Sequence, residues 1–247
     1  NGIAKNNTIA DISRLEFNLR QDLEARSPRA MAVLNPLKVV IENYPEAKEE
    51  MFEVALYTQD ETRTESREIP FSRELYIERE DFMEDPLRKY FRLSPGQEVR
   101  LFKAYYITCT DVVKNDEGEI VEIRATYDPE SRGGMSADGR RVKGTLHWVS
   151  ARHAIDAEVR LYDRLFAAEN PDDVEEGKTF LDYLNPDSLS VITAKVEPHL
   201  VQAQEEIAYQ FMRKGYFIVD PDSTREHLVF NRAVALRDSW AKMAQSG

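Results

Sequence analysis

Short runs of β-branched and aromatic residues, separated by turn-forming residues, fill the chain after Pro28 and constrain its fold most strongly. Across residues 121–127, apolar and polar residues alternate with the period of a β-strand. Residues 115–118 have the chemistry of a turn, so a hairpin is predicted at this point. No helical pattern alternates with these runs, which favours β-barrels or sandwiches over a parallel sheet.

One helix is predicted before this β-rich part. Thr8 is its expected N-cap, with Asp11 as a capping-box partner. The helix should stop at Ser27, because a residue before proline avoids the helical region. Its apolar residues recur at three- and four-residue steps on one face: Ile12, Leu15, Leu19 and Leu23.

The charge of the chain is unevenly distributed. The net charge of −12 argues against non-specific attraction to polyanions. From Arg132 to Arg152, however, five basic residues face a single acid, Asp138. A chain that repels polyanions overall can still present one basic stripe to RNA.

Cysteine content and hydropathy limit the cellular setting. The single cysteine, Cys109, excludes an internal disulfide framework and a cysteine-based zinc site, and it fits a reducing cytoplasm. No apolar run is long enough to predict a membrane span. The first residues lack the features of a signal peptide, and the missing initiator methionine leads us to expect a fragment.

The segment "HWVSARHAID" concentrates residues that catalytic sites use. His147 and His153 lack a third ligand in any known metal-binding spacing, so no metal site is predicted. Ser150, His153 and Asp156 are too close in sequence for a catalytic triad, whose members converge from distant segments. Phosphate-binding glycine loops are also missing from the sequence, so no catalytic residue is predicted.

Recognition is the remaining chemistry. Basic residues alternate with aromatic and aliphatic ones in "RKYFRL", "EVRLFKAYY" and "QFMRKGYF". Such strands are often solvated faces whose long side chains cover apolar surface. A set of them can also form a platform for unstacked RNA bases.

Longer segments carry a more specific signal, among them "SPRAMAVLNPLKVVIENYP", "GQEVRLFKAYYITC", "DGRRVKGTLHWVSARHAIDAEVRLYDRLF" and "FNRAVALRDSWAK". Together they resemble the C-terminal anticodon-binding region of bacterial glutaminyl-tRNA synthetase, a class I glutamine–tRNA ligase. HIGH-type and KMSKS-type signatures of the catalytic domain are missing from the sequence. The resemblance implies a mainly β fold: a helical segment over residues 1–27, a first β-barrel portion over 28–155 and a second over 156–247, with strands crossing between barrels.

The resemblance also implies which side chains read the anticodon. Arg92 matches the arginine at the third base, guanine, whose O6 and N7 one guanidinium can bond together. Arg29 and Gln210 match the pair at the middle uracil, where an amide offers both donor and acceptor. Arg100 matches the arginine at the first base. Two further arginines match residues close to the loop: Arg213 and Arg237.

Three positions depart from the family pattern. Phe91 stands where a lysine is usual, and Lys89 replaces a neutral amide. Met212 stands where an acid is common. These changes affect the details of the middle- and third-base pockets, and Phe91 could stack on a base instead.

The resemblance further implies partners and roles. The expected partner is the anticodon loop of glutamine tRNA, together with a catalytic domain in cis. ATP and Mg are expected for the parent enzyme, and no cofactor for this chain, which is predicted to be inactive alone, monomeric, cytoplasmic and free of membrane. His147 and His153 are interpreted as hydrogen-bonded structural residues, and Trp148 as core.

Alternative functions stay open at this point. A glutamyl-tRNA synthetase shares the barrel architecture, but its anticodon has cytosine at the third base, so Arg92 is the discriminating position. A self-standing β-barrel module that binds RNA or a protein is a second alternative. A metal-dependent hydrolase is the least favoured.

Overall fold

The computed structural model describes residues 12–59, 62–136, 138–168, 170 and 173–236. Helix α1 spans Ile12–Arg26 and ends where the Ser27–Pro28 pair predicts. The predicted cap residues Thr8 and Asp11 lie outside the described residues. Only the C-terminal half of the apolar face is covered: Leu23 is buried against Tyr216, whereas Leu15 is exposed.

The strands of the described residues confirm a mainly β chain. They are β1 (Arg29–Ala30), β2 (Ala32–Val33), β3 (Pro36–Ile41), β4 (Glu50–Ala55), β5 (Ser66–Phe71), β6 (Glu74–Glu78), β7 (Glu98–Leu101), β8 (Tyr106–Lys114), β9 (Ile120–Asp128), β10 (Thr145–Leu146), β11 (Val149–Ser150), β12 (Ile155–Tyr162), β13 (Leu189–Val196), β14 (Ala208–Phe211), β15 (Gly215–Val219) and β16 (Leu228–Ala235).

Two barrel-like sheets contain most of these strands, as predicted. The first has the order β10-β7-β8-β9-β3-β6-β11, and the second has the order β1-β14-β15-β16-β12-β13-β2. Strands β4 and β5 form a separate antiparallel pair. The predicted hairpin is β8–β9, and the Asn115 side chain closes its turn by accepting hydrogen bonds from the backbone of Glu117 and Glu119.

The first two described strands belong to the second sheet. β1 pairs in parallel with β14, and β2 pairs with β13 in antiparallel fashion. The chain then crosses into the first sheet at β3 and returns to the second at β12. The second sheet therefore combines residues from both ends of the described chain.

Each sheet encloses its own aromatic core. Trp148 is fully buried in the first, where it packs edge-on against Phe71 and donates a hydrogen bond to the Phe102 carbonyl at 3.0 Å. This confirms Trp148 as a core residue. In the second, the rings of Phe211 and Phe217 stack with centroids 4.3 Å apart.

A buried ion pair joins the β4–β5 pair to the second sheet. Arg67 on β5 and Glu197 just after β13 are each 1% exposed at the side chain. Arg67 donates to both Glu197 oxygens through Nε and Nη2, and Glu197 also accepts from the Met31 backbone N–H at 2.9 Å. Paired in this way, the two charges avoid the cost that either would have alone in the interior.

The segment 140–150 contains only short strands. It forms β10 and β11, of two residues each. At Gly144 it approaches Phe91 so closely that an added Cβ would lie 2.1 Å from the Phe91 carbonyl oxygen. The next strand, β12, ends at Tyr162.

Within the described residues, no helix has both the length and the apolar character needed to cross a membrane.

Candidate nucleic-acid interface

Asp81 brings two of the predicted anticodon readers together. It is fully buried at the end of the 3-10 turn Arg79–Asp81, which follows β6. Arg213 forms a two-pronged bond to it, with Nη1–Oδ2 and Nη2–Oδ1 distances of 2.6 Å. Arg92 donates to the same carboxylate through Nη1. Charge-assisted bonds of this kind fix the plane of a guanidinium.

A second pair of predicted readers meets on the edge of the second sheet. Arg29 and Gln210 are direct neighbours in the parallel β1–β14 ladder. The Gln210 side chain is largely buried, and its Nε2 donates to the Tyr216 hydroxyl at 3.1 Å. Its amide oxygen has no hydrogen-bond partner within the part of the chain that the structure describes. That oxygen is available to accept a hydrogen bond from a ligand N–H.

Arg100 lies on β7 beside an aromatic ring. Its guanidinium carbon is 5.5 Å from the ring centroid of Tyr106, and its Nη2 is 3.4 Å from the hydroxyl of that residue. Gly134, at φ +81°, leaves the room for this side chain, since a Cβ there would lie 3.1 Å from Arg100 Cδ. Among the described residues, the buried Arg100 Nε has no partner.

The loop that carries Arg92 also contacts the strand that carries Arg100. The Arg100 backbone N–H donates to the Gly144 carbonyl at 2.9 Å, and Gly144 packs against the Phe91 backbone. Lys143 holds its ammonium 4.7 Å from the Phe91 ring centroid, and that ring is 45% exposed. The exposed ring is therefore available for stacking.

Five of the six predicted readers consequently lie along one run of contacts through both sheets. The run starts at the Arg29–Gln210 pair, continues through the β14–β15 turn, Asp81 and the Phe91 loop, and ends at Arg100. Arg237 lies outside the described residues.

The non-glycine residues with left-handed backbone lie at or within three residues of predicted anticodon contacts. In the described ranges, the non-glycine residues with positive φ are Lys89 (71°), Lys103 (59°) and Arg213 (68°). The first two lie three residues from Arg92 and from Arg100, and the third is itself a predicted reader. Left-handed backbone at such residues is costly and is most often retained at functional sites.

Replacing Lys89 by glycine should raise the free energy of unfolding by about 0.5–1 kcal/mol, because glycine adopts φ 71° without a Cβ penalty. Urea unfolding measures the change. Arg88→Gly is the matched control, since Arg88 is an exposed neighbour with an ordinary φ. Equal losses in both variants would contradict the assignment of strain to Lys89.

The two histidines of the "HWVSARHAID" segment are hydrogen-bonded, as predicted. His147 is buried; its Nε2 donates to the Ala32 carbonyl at 3.0 Å, and its Nδ1 lies 3.4 Å from Arg213 Nη1. The Nδ1 of His153 lies 2.9 Å from the Ser150 hydroxyl. Ser150 is only 2% exposed, so a substrate cannot reach it.

The acid of the "HWVSARHAID" segment has a separate partner. Asp156 lies on β12 and forms an ion pair with Lys195 at 2.5 Å. In the described part of the chain, no cluster of three or more His, Cys, Asp or Glu residues could hold a metal ion.

Asp81, Tyr106 and Tyr216 are contact residues that sequence reasoning missed. Asp81 stands in the acidic run "ERED", which has the composition of a solvated face. Its neighbour Glu80 is indeed 61% exposed at the side chain, whereas Asp81 is not exposed at all. No signal in the sequence separates the two acids.

Comparison with known proteins decides the family. Two family models match residues 27–128 and 145–220, which together are more than half of the chain. Both are described as the anticodon-binding domain of class I tRNA synthetases (E and Q). The chain belongs to this family.

Curated relatives narrow the resemblance within the anticodon-binding domains. A glutamine–tRNA ligase of Nitrobacter hamburgensis is 52% identical over 246 residues, which are 100% of this chain and 43% of the relative. Glutamine–tRNA ligases of Rhodopirellula baltica and Clostridium kluyveri are 51% and 49% identical, over 100% and 97% of this chain and 41% and 43% of their own lengths. The chain thus spans about two fifths of the length of these relatives, and the resemblance to glutaminyl-tRNA synthetases is confirmed.

Proposed function

We propose that the chain recognises the anticodon loop of glutamine tRNA as the anticodon-binding region of a glutamine–tRNA ligase. The main support for the proposal is that five of the predicted anticodon contacts lie along one series of contacts across the two sheets. They are Arg29, Gln210, Arg213, Arg92 and Arg100. The positive φ angles beside these residues and the names of the relatives support it further.

Selective binding is the proposed mechanism. Asp81 accepts from one terminal nitrogen of Arg92, and no other described residue bonds this guanidinium, so its remaining N–H groups can donate to guanine O6 and N7. The unbonded Gln210 oxygen accepts from the N3–H of the middle uracil. A wrong base leaves these partly buried groups without partners, which costs about 1–3 kcal/mol for each.

A second part of the proposal concerns the activity of the whole protein. We propose that the parent protein joins glutamine to its tRNA with ATP and Mg, through a catalytic domain in cis. The monomeric state and the cytoplasmic location are further proposals, and the single cysteine supports the location.

Replacing Arg92 by alanine should weaken binding of the glutamine anticodon stem-loop by roughly tenfold or more, because the guanidinium fork at the third base is lost. The affinity gap between loops with guanine and with cytosine at this base should shrink as well. Fluorescence anisotropy with the two stem-loops at fixed salt measures both effects.

Arg88→Ala provides the matched control, because it removes an exposed charge four residues away. Any effect of this variant should be equal for both loops, as expected of a general electrostatic contribution. If Arg92→Ala loses affinity equally for both loops, Arg92 contacts a phosphate and does not distinguish the third base. A wild-type preference for cytosine would favour the glutamyl-type alternative.

A further inference from the structure

Asp81 connects two arginines that come from different sheets. Arg92 follows the loop of residues 83–91, beside the first sheet, and Arg213 occupies the β14–β15 turn of the second. Both guanidiniums donate to the one carboxylate.

The environment of Asp81 makes these bonds strongly favourable. The residue is fully buried, and its backbone carbonyl accepts from the Leu93 N–H at 3.0 Å. Among the described residues, the arginines Arg92 and Arg213 are the hydrogen-bond partners of its carboxylate. A buried carboxylate without charged partners is very unfavourable, so displacing either guanidinium has a large free-energy cost.

The two arginines differ in how they use the carboxylate. Arg213 donates from both terminal nitrogens to Asp81, and its backbone is left-handed. Arg92 uses only Nη1, and its side chain is 41% exposed. Because Arg92 and Arg213 share Oδ1, a displacement of either guanidinium shifts the acceptor of the other.

Arg213 also lies in the turn that directly follows the strand of Gln210, the proposed contact of the middle base. It lies three residues after Gln210, within the same hairpin. Arg92 is assigned to the third base. The Asp81 carboxylate therefore stands between the elements that contact two adjacent bases.

We propose that Asp81 is a positioning residue that couples the reading of the middle and third anticodon bases. A wrong third base displaces Arg92, and a wrong middle base displaces the hairpin that carries Gln210 and Arg213. The shared carboxylate transmits either displacement to the other pocket. This inference rests on the proposed function. It requires the effects of two base changes to be non-additive, as is usual for groups in one network.

Four stem-loops test the inference: the glutamine anticodon, a change of the middle base, a change of the third base, and both changes together. In the wild-type chain, the double change should cost at least about threefold less affinity than the product of the single changes. In Asp81→Asn, affinity for the glutamine loop should fall about tenfold or more, and the two changes should become independent within about twofold.

Glu80→Gln is the matched control, because it removes the adjacent acid, which is exposed and contacts Lys214 instead. It should retain both the affinity and the coupling. Thermal unfolding of each variant checks that it is folded. If Asp81→Asn does not fold, Asp81→Glu keeps the charge but moves the carboxylate by one methylene, and it should weaken the coupling.

Two results would overturn the inference. One is additive base changes in the wild-type chain, and the other is unchanged coupling in a folded Asp81 variant, which would leave Asp81 a purely structural role. Failure of the wild-type chain to bind any stem-loop would instead contradict the proposed function itself.

Discussion

Replacement of Glu197 by alanine is expected to lower the free energy of unfolding by about 3–5 kcal/mol. Among the described residues, the substitution leaves the buried Arg67 guanidinium with the Ala55 carbonyl, at 3.1 Å, as its one remaining partner. It also removes the acceptor of the Met31 N–H. Domains of this kind are stable by about 5–15 kcal/mol, so a large share of the stability is lost. Urea denaturation followed by tryptophan fluorescence measures the change.

The double variant Arg67→Met, Glu197→Leu is the informative control. It removes both charges and fills their volume, so it should be more stable than Glu197→Ala by several kcal/mol, about 2 or more. A double variant no more stable than the single one would show that the loss comes from packing and not from the unpaired charge.

Replacement of Glu50 by glutamine should remove a pH-dependent part of the stability. Burial alone would raise the pKa of Glu50, but hydrogen bonds from Lys48, Tyr44, Tyr105 and Arg132 outweigh it and lower this pKa from 4.5 to about 2. The Tyr44 and Tyr105 hydroxyls lie 2.8 Å from Glu50 Oε2. Burial and these bonds to Glu50 in turn raise the pKa of both tyrosines.

Proton linkage fixes the direction in which the stability contributed by Glu50 changes with pH. Because the folded pKa is depressed, the carboxylate stabilises the fold fully above pH 4.5, and this contribution is lost as the pH falls towards 2. The loss amounts to about 2–3 kcal/mol. Glu50→Gln should thus be less stable than wild type at neutral pH by about this amount, and the two should converge near pH 2.

Urea unfolding at several pH values tests the convergence, and Glu68→Gln on the adjacent strand β5 is the control, since Glu68 is exposed. This control should follow the wild-type pH dependence. A constant difference between Glu50→Gln and wild type at all pH values would contradict the role given to the carboxylate.

Local patterns in the sequence predicted local structure well. The alternation of residues 121–127 and the turn before them correspond to the β8–β9 hairpin, and Ser27–Pro28 marks the end of α1. Both features depend on neighbouring residues alone, so the sequence contains the necessary information. The resemblance added the two barrels and the candidate readers.

Long-range partners could not be predicted in the same way. Asp81 and Glu80 are adjacent acids, yet one is buried between two arginines and the other contacts solvent. Glu197 pairs with Arg67 from 130 residues away. Such contacts depend on where the sheets pack against each other, and this packing produces no periodic pattern in the sequence of either strand.

The order in which the second sheet acquires its strands has a consequence for synthesis on the ribosome. Strands β1 and β2 leave the exit tunnel before the other described strands, but their partners β13 and β14 are made more than 150 residues later. At about 5–20 residues per second, these two short strands wait roughly ten seconds or longer for a neighbour. The first sheet, whose strands all lie between β3 and β11, can close meanwhile, so it should fold before the second sheet is complete.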